Sequence, residues 1–247
     1  MKKLQDKVAL ITGGSSGIGL ATAKLMVAEG ARVVIVGRDE QKLEAAARAL
    51  GVLTIGADAG TLDGIGVIVQ QTYEAYGRID ILFANAGMSD SPPLLETDEA
   101  FFDRMMDTNV KGVFFLFTKA FPLLSEYASV ILTSSVAHSK GRPGDPLYSA
   151  TKAAVRSLGR TLAMDENVLA RRIRVNVVSP GAIQTPLTRQ DSPEMEQAVN
   201  AYIRGAVPMQ RWGQPEEVAK AVVFLASAES SYMTGGEVTV DGGLGQV

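Results

Sequence analysis

Apolar residues along this chain gather into short, largely β-branched runs separated by longer stretches with helical spacing. The runs are Val8–Ile11, Val33–Val36, Ile81–Ala84, Val130–Thr133, Val175–Val178 and Glu237–Val240, with a weaker one at Val52–Ile55. Most are apolar on both faces instead of alternating, as strands are when helices cover a sheet from two sides. Between them, Ile18–Glu29, Asp39–Leu50, Leu62–Tyr76, Asp98–Phe121 and Tyr148–Asn167 repeat apolar residues at intervals of three and four, which predicts helices. Strands and helices in alternation, joined by right-handed crossovers, predict an α/β fold built on a doubly wound parallel sheet. No linker, repeat or low-complexity tract interrupts the sequence, so residues 1–247 read as a single domain.

One stretch breaks the rhythm. From Gly181 to Gly213 the chain carries Pro186, Pro193 and Pro208, with only a short helical pattern at Glu194–Arg204. An excursion of this kind on an α/β scaffold predicts a substrate lid over residues 184–212, a plain surface loop being the alternative.

Composition narrows the function classes. Hydrophobic residues make up 46% and charged residues 21%, enough for a sizeable core. The net charge of −3 offers no broad basic field for nucleic acid or anionic lipid. The absence of cysteine removes disulfides, thiolate metal sites and cysteine nucleophiles together. Val8–Ile11 is too short for a signal sequence and Val110–Phe117 is interrupted by Lys111, so a cytoplasmic protein is expected. His138 is the only histidine and no carboxylate cluster accompanies it, so no catalytic metal is expected.

The strand Val8–Ile11 runs into Thr12-Gly13-Gly14-Ser15-Ser16-Gly17-Ile18-Gly19 and then into a helix. Glycines there let the backbone turn tightly and approach a pyrophosphate seated at the helix N-terminus. The Gly-x3-Gly-x-Gly spacing is not G-x-G-x-x-G, and it lacks the Lys-Ser/Thr pair of a nucleoside-triphosphate loop. A strand before and a helix after favour a dinucleotide over a merely structural turn. At the end of the next strand, an acid would bind the ribose 2′-hydroxyl of NAD and a base the 2′-phosphate of NADP. Gly37 stands where the acid is wanted, Arg38 offers a fork suited to phosphate, and Asp39 reads as a helix cap. NADP(H) is therefore expected over NAD(H), a solvated Arg38 being the other reading.

Tyr148 and Lys152 stand four residues apart in a helical segment, hence on one face. Free tyrosine titrates near about 10, and a neighbouring cation favours the phenolate. The strand Val130–Thr133 ends in Ser134-Ser135, at the edge where open α/β sheets place ligands. A serine hydroxyl there can donate to a carbonyl oxygen as it gains charge. Each feature alone also fits a packed phenol, a surface amine or a turn serine.

Together, Thr12–Gly19, Asn85-Ala86-Gly87, Asn109, Ser135, Tyr148-x3-Lys152 and Pro180-Gly181 resemble, in order and spacing, the short-chain dehydrogenases/reductases, from Lys7 to Gly243. The resemblance implies a Rossmann fold and assigns roles. Tyr148 resembles the general acid/base that protonates the alkoxide formed on reduction. Lys152 resembles the residue that poises that tyrosine and bonds the nicotinamide ribose, Ser135 the carbonyl-orienting serine, and Asn109 the asparagine that holds a relay water. Gly13, Ser15, Ser16, Gly17, Ile18 and Gly19 correspond to the pyrophosphate turn. Asp58 corresponds to an adenine-edge contact, and Asn85, Ala86 and Gly87 to the turn lining the ribose. Pro180, Gly181, Ile183 and Thr185 correspond to the segment that meets the nicotinamide amide. Two departures stand out: Ala84 precedes Asn85 where relatives often carry a second asparagine, and Ser16 replaces the base frequent in NADP-preferring members. The resemblance also implies a homotetramer.

Expected substrate walls are Met88–Leu95, Ala137–Leu147 and Ile183–Trp212, whose apolar members Met88, Leu94, Leu95, Leu147, Leu187, Met195, Tyr202 and Trp212 suit a small, mostly apolar carbonyl compound. Trp212 also reads as a packing anchor, and His138 as an exposed loop side chain or a substrate contact. The leading expectation is an NADP(H)-linked ketone reductase and alcohol dehydrogenase. A 3-oxoacyl-[acyl-carrier-protein] reductase is the alternative, Arg171, Arg172 and Arg174 being either a landing site for an acidic carrier or solvated charges. A non-catalytic NADP-sensing regulator would need none of Asn109, Ser135, Tyr148 and Lys152.

Overall fold

The computed structural model describes residues 2–90, 92–141, 144–189 and 191–247. Ser91, Arg142, Pro143 and Gln190, which fall within the expected substrate walls, lie outside the described residues, as does Met1.

The strands β1 (Val8–Thr12), β2 (Arg32–Gly37), β3 (Leu53–Gly56), β4 (Ile79–Ala84), β5 (Leu124–Thr133), β6 (Arg174–Pro180) and β7 (Glu237–Val240) form one parallel sheet in the order β3-β2-β1-β4-β5-β6-β7. Alternate residues of each strand enter opposite cores, because a strand turns its side chains over every residue. Leu10, Val34, Val36, Leu82 and Leu132 face the layer containing α3 (Leu62–Tyr76), α5 (Gly112–Ala120) and α6 (Pro146–Leu162). Ala9, Ile11, Val33, Ile35, Phe83 and Ile131 face α1 (Gly17–Ala28), α2 (Glu40–Leu50) and α9 (Pro215–Ala226). The runs are apolar on both faces for that reason, and the expected single α/β domain with a doubly wound, Rossmann-type sheet is what the chain forms. Asp39 caps α2 by accepting from the Lys42 amide at 3.0 Å, and Gly51 closes the helix at φ +64°.

Four elements differ from expectation. β5 begins at Leu124, six residues before the apolar run, because Ile79 pairs with Leu124 and Ile81 with Ser129. The residues between them are bulged out, so their polar sequence carries no strand signal. The expected helix Asp98–Phe121 is α4 (Glu99–Met106) and α5 joined by a π-helical turn at Asp107–Lys111. The expected Tyr148–Asn167 helix ends at Leu162, and a separate α7 (Glu166–Ala170) starts where the Asp165 carboxylate accepts from the Asn167 amide at 2.9 Å. α9 escapes a periodicity search because it is apolar on most sides: Val218, Ala219, Val222, Val223 and Leu225 are all buried.

The excursion after β6 contains α8 (Pro193–Ala206) and is stitched at its base. Ile183 and Gly213 form a parallel bridge, with the Gly213 amide donating to Ala182 O at 2.9 Å and the Gln184 amide to Gly213 O at 2.9 Å.

Candidate active site

β1 lies between β2 and β4, so the strand order reverses at its carboxyl end, where a crevice forms in sheets of this kind. The turn Gly13–Gly19 occupies that end. Gly17 has φ +50°, and a Cβ on Gly19 would lie 2.2 Å from Gly13 O, so no side chain fits where the turn folds onto its own helix. Ser16 sits at the N-cap of α1 without a side-chain capping bond, and no acid occupies the first turn. The helix thus presents amides and the positive end of its dipole to an anion, and the cradle fits a dinucleotide diphosphate. Thr12 ties this turn to the next one: its Oγ1 accepts from the amides of Asn85 and Ala86 at 3.1 Å each. Asn85 Nδ2 returns a bond to Thr12 O at 3.1 Å, fixing Asn85-Ala86-Gly87 beside the glycines.

At the far end of the crevice Arg38 and Asp58 meet, Nη1 lying 3.8 Å from Oδ2, with Arg38 well exposed. Asp58 also accepts from the Gly60 amide at 2.8 Å. A Cβ at Gly37 would come within 2.8 Å of Ser15 Oγ, so the position where an NAD-binding acid would stand is crowded by the glycine turn. Asp39 is engaged elsewhere, as the α2 cap and in an ion pair with Lys42 at 2.8 Å, and that lysine holds its carboxyl below the usual range.

Lys152 is buried at 5% exposure on α6 and donates from Nζ to Thr133 O at 3.1 Å. The same Nζ lies 5.6 Å from the centre of the Tyr148 ring and 3.4 Å from where a Cβ on Gly87 would stand. Burial lowers its pKa to about 8. Ser134 Oγ donates to Lys152 O at 2.8 Å, and Ser135, buried one residue on, accepts from the Ala137 amide at 3.2 Å. Asn109 lies fully buried in the π-turn. Its Oδ1 accepts from the Met88 amide and its Nδ2 donates to Met88 O, both at 2.9 Å. Nδ2 also reaches Thr151 Oγ1 at 3.1 Å, and Thr151 Oγ1 donates to Tyr148 O at 2.7 Å. Asn109 therefore couples the loop after β4 to the helix that carries Tyr148.

Pro180 ends β6 and Gly181 follows it, its amide donating to Val240 O at 3.0 Å. Ile183 is buried at 3% exposure, and Thr185 packs over the glycine turn, its Cβ 3.3 Å from the place a Gly17 Cβ would take. The second half of the expected cofactor segment thus reaches the first.

Other side chains behave differently from their sequence reading. His138 is not an exposed loop residue: its side chain is 15% exposed and its Nε2 donates to Glu237 Oε1 at 2.7 Å. Trp212 takes the anchor reading, packing with Val136, Ile203, Val207 and Leu244 while its Nε1 donates to Asn200 Oδ1 at 2.6 Å. Leu94, Leu95, Leu187, Met195 and Tyr202 are all more than half exposed. Arg171 and Arg174 are half-buried and Arg172 is exposed, and each bonds a different part of the chain. Arg171 donates to Phe121 O at 2.7 Å, Arg172 to the Tyr127 hydroxyl, and Arg174 to Ser230, Leu225 and Ser227 carbonyls at the end of α9. Thr12 opens the glycine motif but was given no role of its own in the sequence, and Thr151 and Glu237 carried no local signal for the contacts they make.

Among the described residues no helix is long and apolar enough to cross a membrane. A family model described as enoyl-(acyl carrier protein) reductase matches residues 13–245. The chain is 36% identical to a 3-oxoacyl-[acyl-carrier-protein] reductase of Thermotoga maritima, over 98% of this chain and 99% of that one. It is also 36% identical to an NADP-dependent (R)-specific alcohol dehydrogenase of Lentilactobacillus kefiri, over 98% and 97%. The structure of L-sorbose reductase from Gluconobacter frateurii, complexed with NADPH and L-sorbose, superposes with a TM-score of 0.92 at 31% identity over the full length of both chains. Fold and full-length similarity agree: the chain is an oxidoreductase belonging to the short-chain dehydrogenase/reductase family.

Proposed function

We propose that the chain moves hydride between NADP(H) and a small, mostly apolar ketone or secondary alcohol, with Tyr148 exchanging the proton. The observation that carries this reading is the Lys152 ammonium, buried beside the Tyr148 ring and the Gly87 turn at the carboxyl edge of the sheet. Even lowered to about 8, its pKa leaves the amine mainly protonated at pH 7, so the phenol has a cation next to it. A cation there favours the phenolate and readies the hydroxyl for proton exchange with the substrate oxygen. Ser135 orients the carbonyl and donates to its oxygen as charge develops. Asn109 acts behind them, holding the Met88 loop against the Tyr148 helix. The bound nicotinamide supplies the hydride; the protein supplies position, a proton and exclusion of water.

The cofactor preference is supported by Arg38 just after β2 and by the absence of an acid at Gly37. The exposed apolar side chains Leu94, Leu187, Met195 and Tyr202 support an apolar substrate. The Thermotoga relative favours a second reading, reduction of a 3-oxoacyl thioester. Against it, Arg171, Arg172 and Arg174 are engaged within the chain and do not present a landing site for an acidic carrier.

The test is NADPH oxidation with cyclic and aryl ketones and with an acetoacetyl thioester, in the wild type and in Tyr148→Phe. Ketone turnover is expected, falling by a factor of about 10² to 10⁴ in the variant. Turnover surviving in Tyr148→Phe refutes the mechanism, and a strong preference for the thioester refutes the substrate class.

A further inference from the structure

Glu237 opens β7, and its carboxylate collects donors from three other elements. Ser179 Oγ on β6 and His138 Nε2 after β5 both donate to Oε1, the histidine at 2.7 Å. Arg156 on α6 donates from Nε to Oε2 at 2.8 Å and from Nη1 to Gly235 O at 3.2 Å. The three ionisable side chains are only 12–19% exposed, so this is a largely desolvated cluster and not a surface ion pair. Burial alone would raise the Glu237 carboxyl. The hydrogen bonds from Ser179, His138 and Arg156, with the electrostatic pull of the imidazole, outweigh it and keep the group below the usual range.

Each donor sits a fixed short distance along the chain from a residue assigned above to the chemistry. His138 is one 3₁₀ turn beyond Ser135, and its amide donates to Ser135 O at 3.0 Å. Arg156 follows Lys152 by four residues and Tyr148 by eight, and so lies on the same face of α6. Ser179 immediately precedes Pro180-Gly181. In the ladder Val177 pairs with Glu237, so Ser179, two residues on, shares the face of the sheet that α6 covers.

We propose that Glu237 is a positioning residue: one buried carboxylate that fixes the Ser135 turn, the Tyr148–Lys152 helix and the Pro180-Gly181 segment relative to one another. It touches neither substrate nor cofactor. Its effect is on the geometry in which the carbonyl, the phenol and the nicotinamide come together, where small misplacements are costly in rate. His138 owes its buried placement to the same cluster. The inference rests on the assignment of Ser135, Tyr148 and Lys152 to the reaction.

The test is single-turnover stopped-flow of hydride transfer to the best ketone of the panel, with sites counted by cofactor binding and folding checked by melting temperature. Glu237→Gln and His138→Ala are expected to slow hydride transfer by about tenfold while cofactor affinity stays within about twofold. His138→Gln, whose amide can still donate to Oε1, is expected to recover most of the loss. A purely structural role would lower the melting temperature and the number of active sites but leave the rate per site unchanged. That result in Glu237→Gln overturns the proposal. If Glu237→Gln does not fold, equal rates in His138→Ala and His138→Gln overturn it. Absence of ketone turnover in the wild type would instead refute the proposed function, so the two failures are distinguishable.

Discussion

Lys152 carries a charge that the fold bears at a cost, and removing it should change how stability depends on pH. Burial lowers its pKa from 10.5 to about 8, a difference worth about 3 kcal/mol between the charged forms in the folded and unfolded chain. Below pH 8 both states hold the proton and the full cost stands. Between pH 8 and 10.5 the folded protein releases the proton while the unfolded chain keeps it, so the folded state gains as pH rises. Lys152→Met has similar length, no charge and no such dependence. Its lost bond to Thr133 O adds an offset that does not vary with pH. The difference in stability between wild type and Lys152→Met should therefore move by about 3 kcal/mol in favour of the wild type from pH 7 to 10.5. For a chain of this size that is a relative shift in melting temperature of roughly 6–12 °C. Differential scanning fluorimetry of both proteins at matched concentration, in steps from pH 7 to 10.5, measures it directly. Titrating groups distant from Lys152 are common to both proteins and cancel in the difference, and making the comparison in the Tyr148→Phe background removes the one phenol beside it. A gap that stays flat across that range would refute the claim that Lys152 is desolvated, and with it the picture of a strained cation held beside the phenol.

Two further outcomes follow from the same contacts. Arg38→Ala should weaken NADPH binding about 10- to 100-fold, the worth of charge-assisted bonds to one phosphate, and leave NADH binding unchanged; equal NADPH affinity by fluorescence titration would remove the basis of the cofactor preference. Arg174→Met should remove the charged donor from the carbonyls of Leu225, Ser227 and Ser230, which keep their neutral donors, and cost about 1.5–3 kcal/mol, lowering the melting temperature by roughly 3–12 °C. Turnover at 25 °C should persist, since Arg174 braces α9 and not the site; a melting temperature within about 2 °C of wild type would contradict that bracing role.

The sheet was legible because its strands are apolar on both faces, a pattern few other folds produce. What the sequence hid was hidden for local reasons. The first half of β5 reads Leu124-Ser-Glu-Tyr-Ala-Ser and bulges away from its neighbour, so it carries polar residues where a flat strand would not. The π-turn at Asn109 adds a residue to one turn without disturbing the apolar stripe on either side, so the two helices read as one. Tyr148, Lys152, the glycine turn and Ser135 could be found by spacing, because each set lies within one element or its edge. Glu237 and His138 could not. They are 99 residues apart and look like surface charges until β7 is laid beside β6. Arg171, Arg172 and Arg174 were misleading in the opposite sense, since three basic residues in four positions look like a patch while each bonds a different part of the chain.

The stitch between Ile183 and Gly213 has a consequence for how such an enzyme can change. The segment after Ile183 rejoins the scaffold at Gly213 through this hydrogen-bonded crossing, backed by the Met209 amide donating to Gly242 O and by Trp212 packed against Val136 and Leu244, so its outward side chains can be rewritten without altering the entry or exit angle. The glycine turn lies upstream of that crossing, and within the segment Thr185 packs over it, so edits that keep Thr185 leave the dinucleotide end as it is. Grafting this segment from one relative to another should accordingly transfer appetite for a ketone while leaving the coenzyme allegiance of the recipient in place.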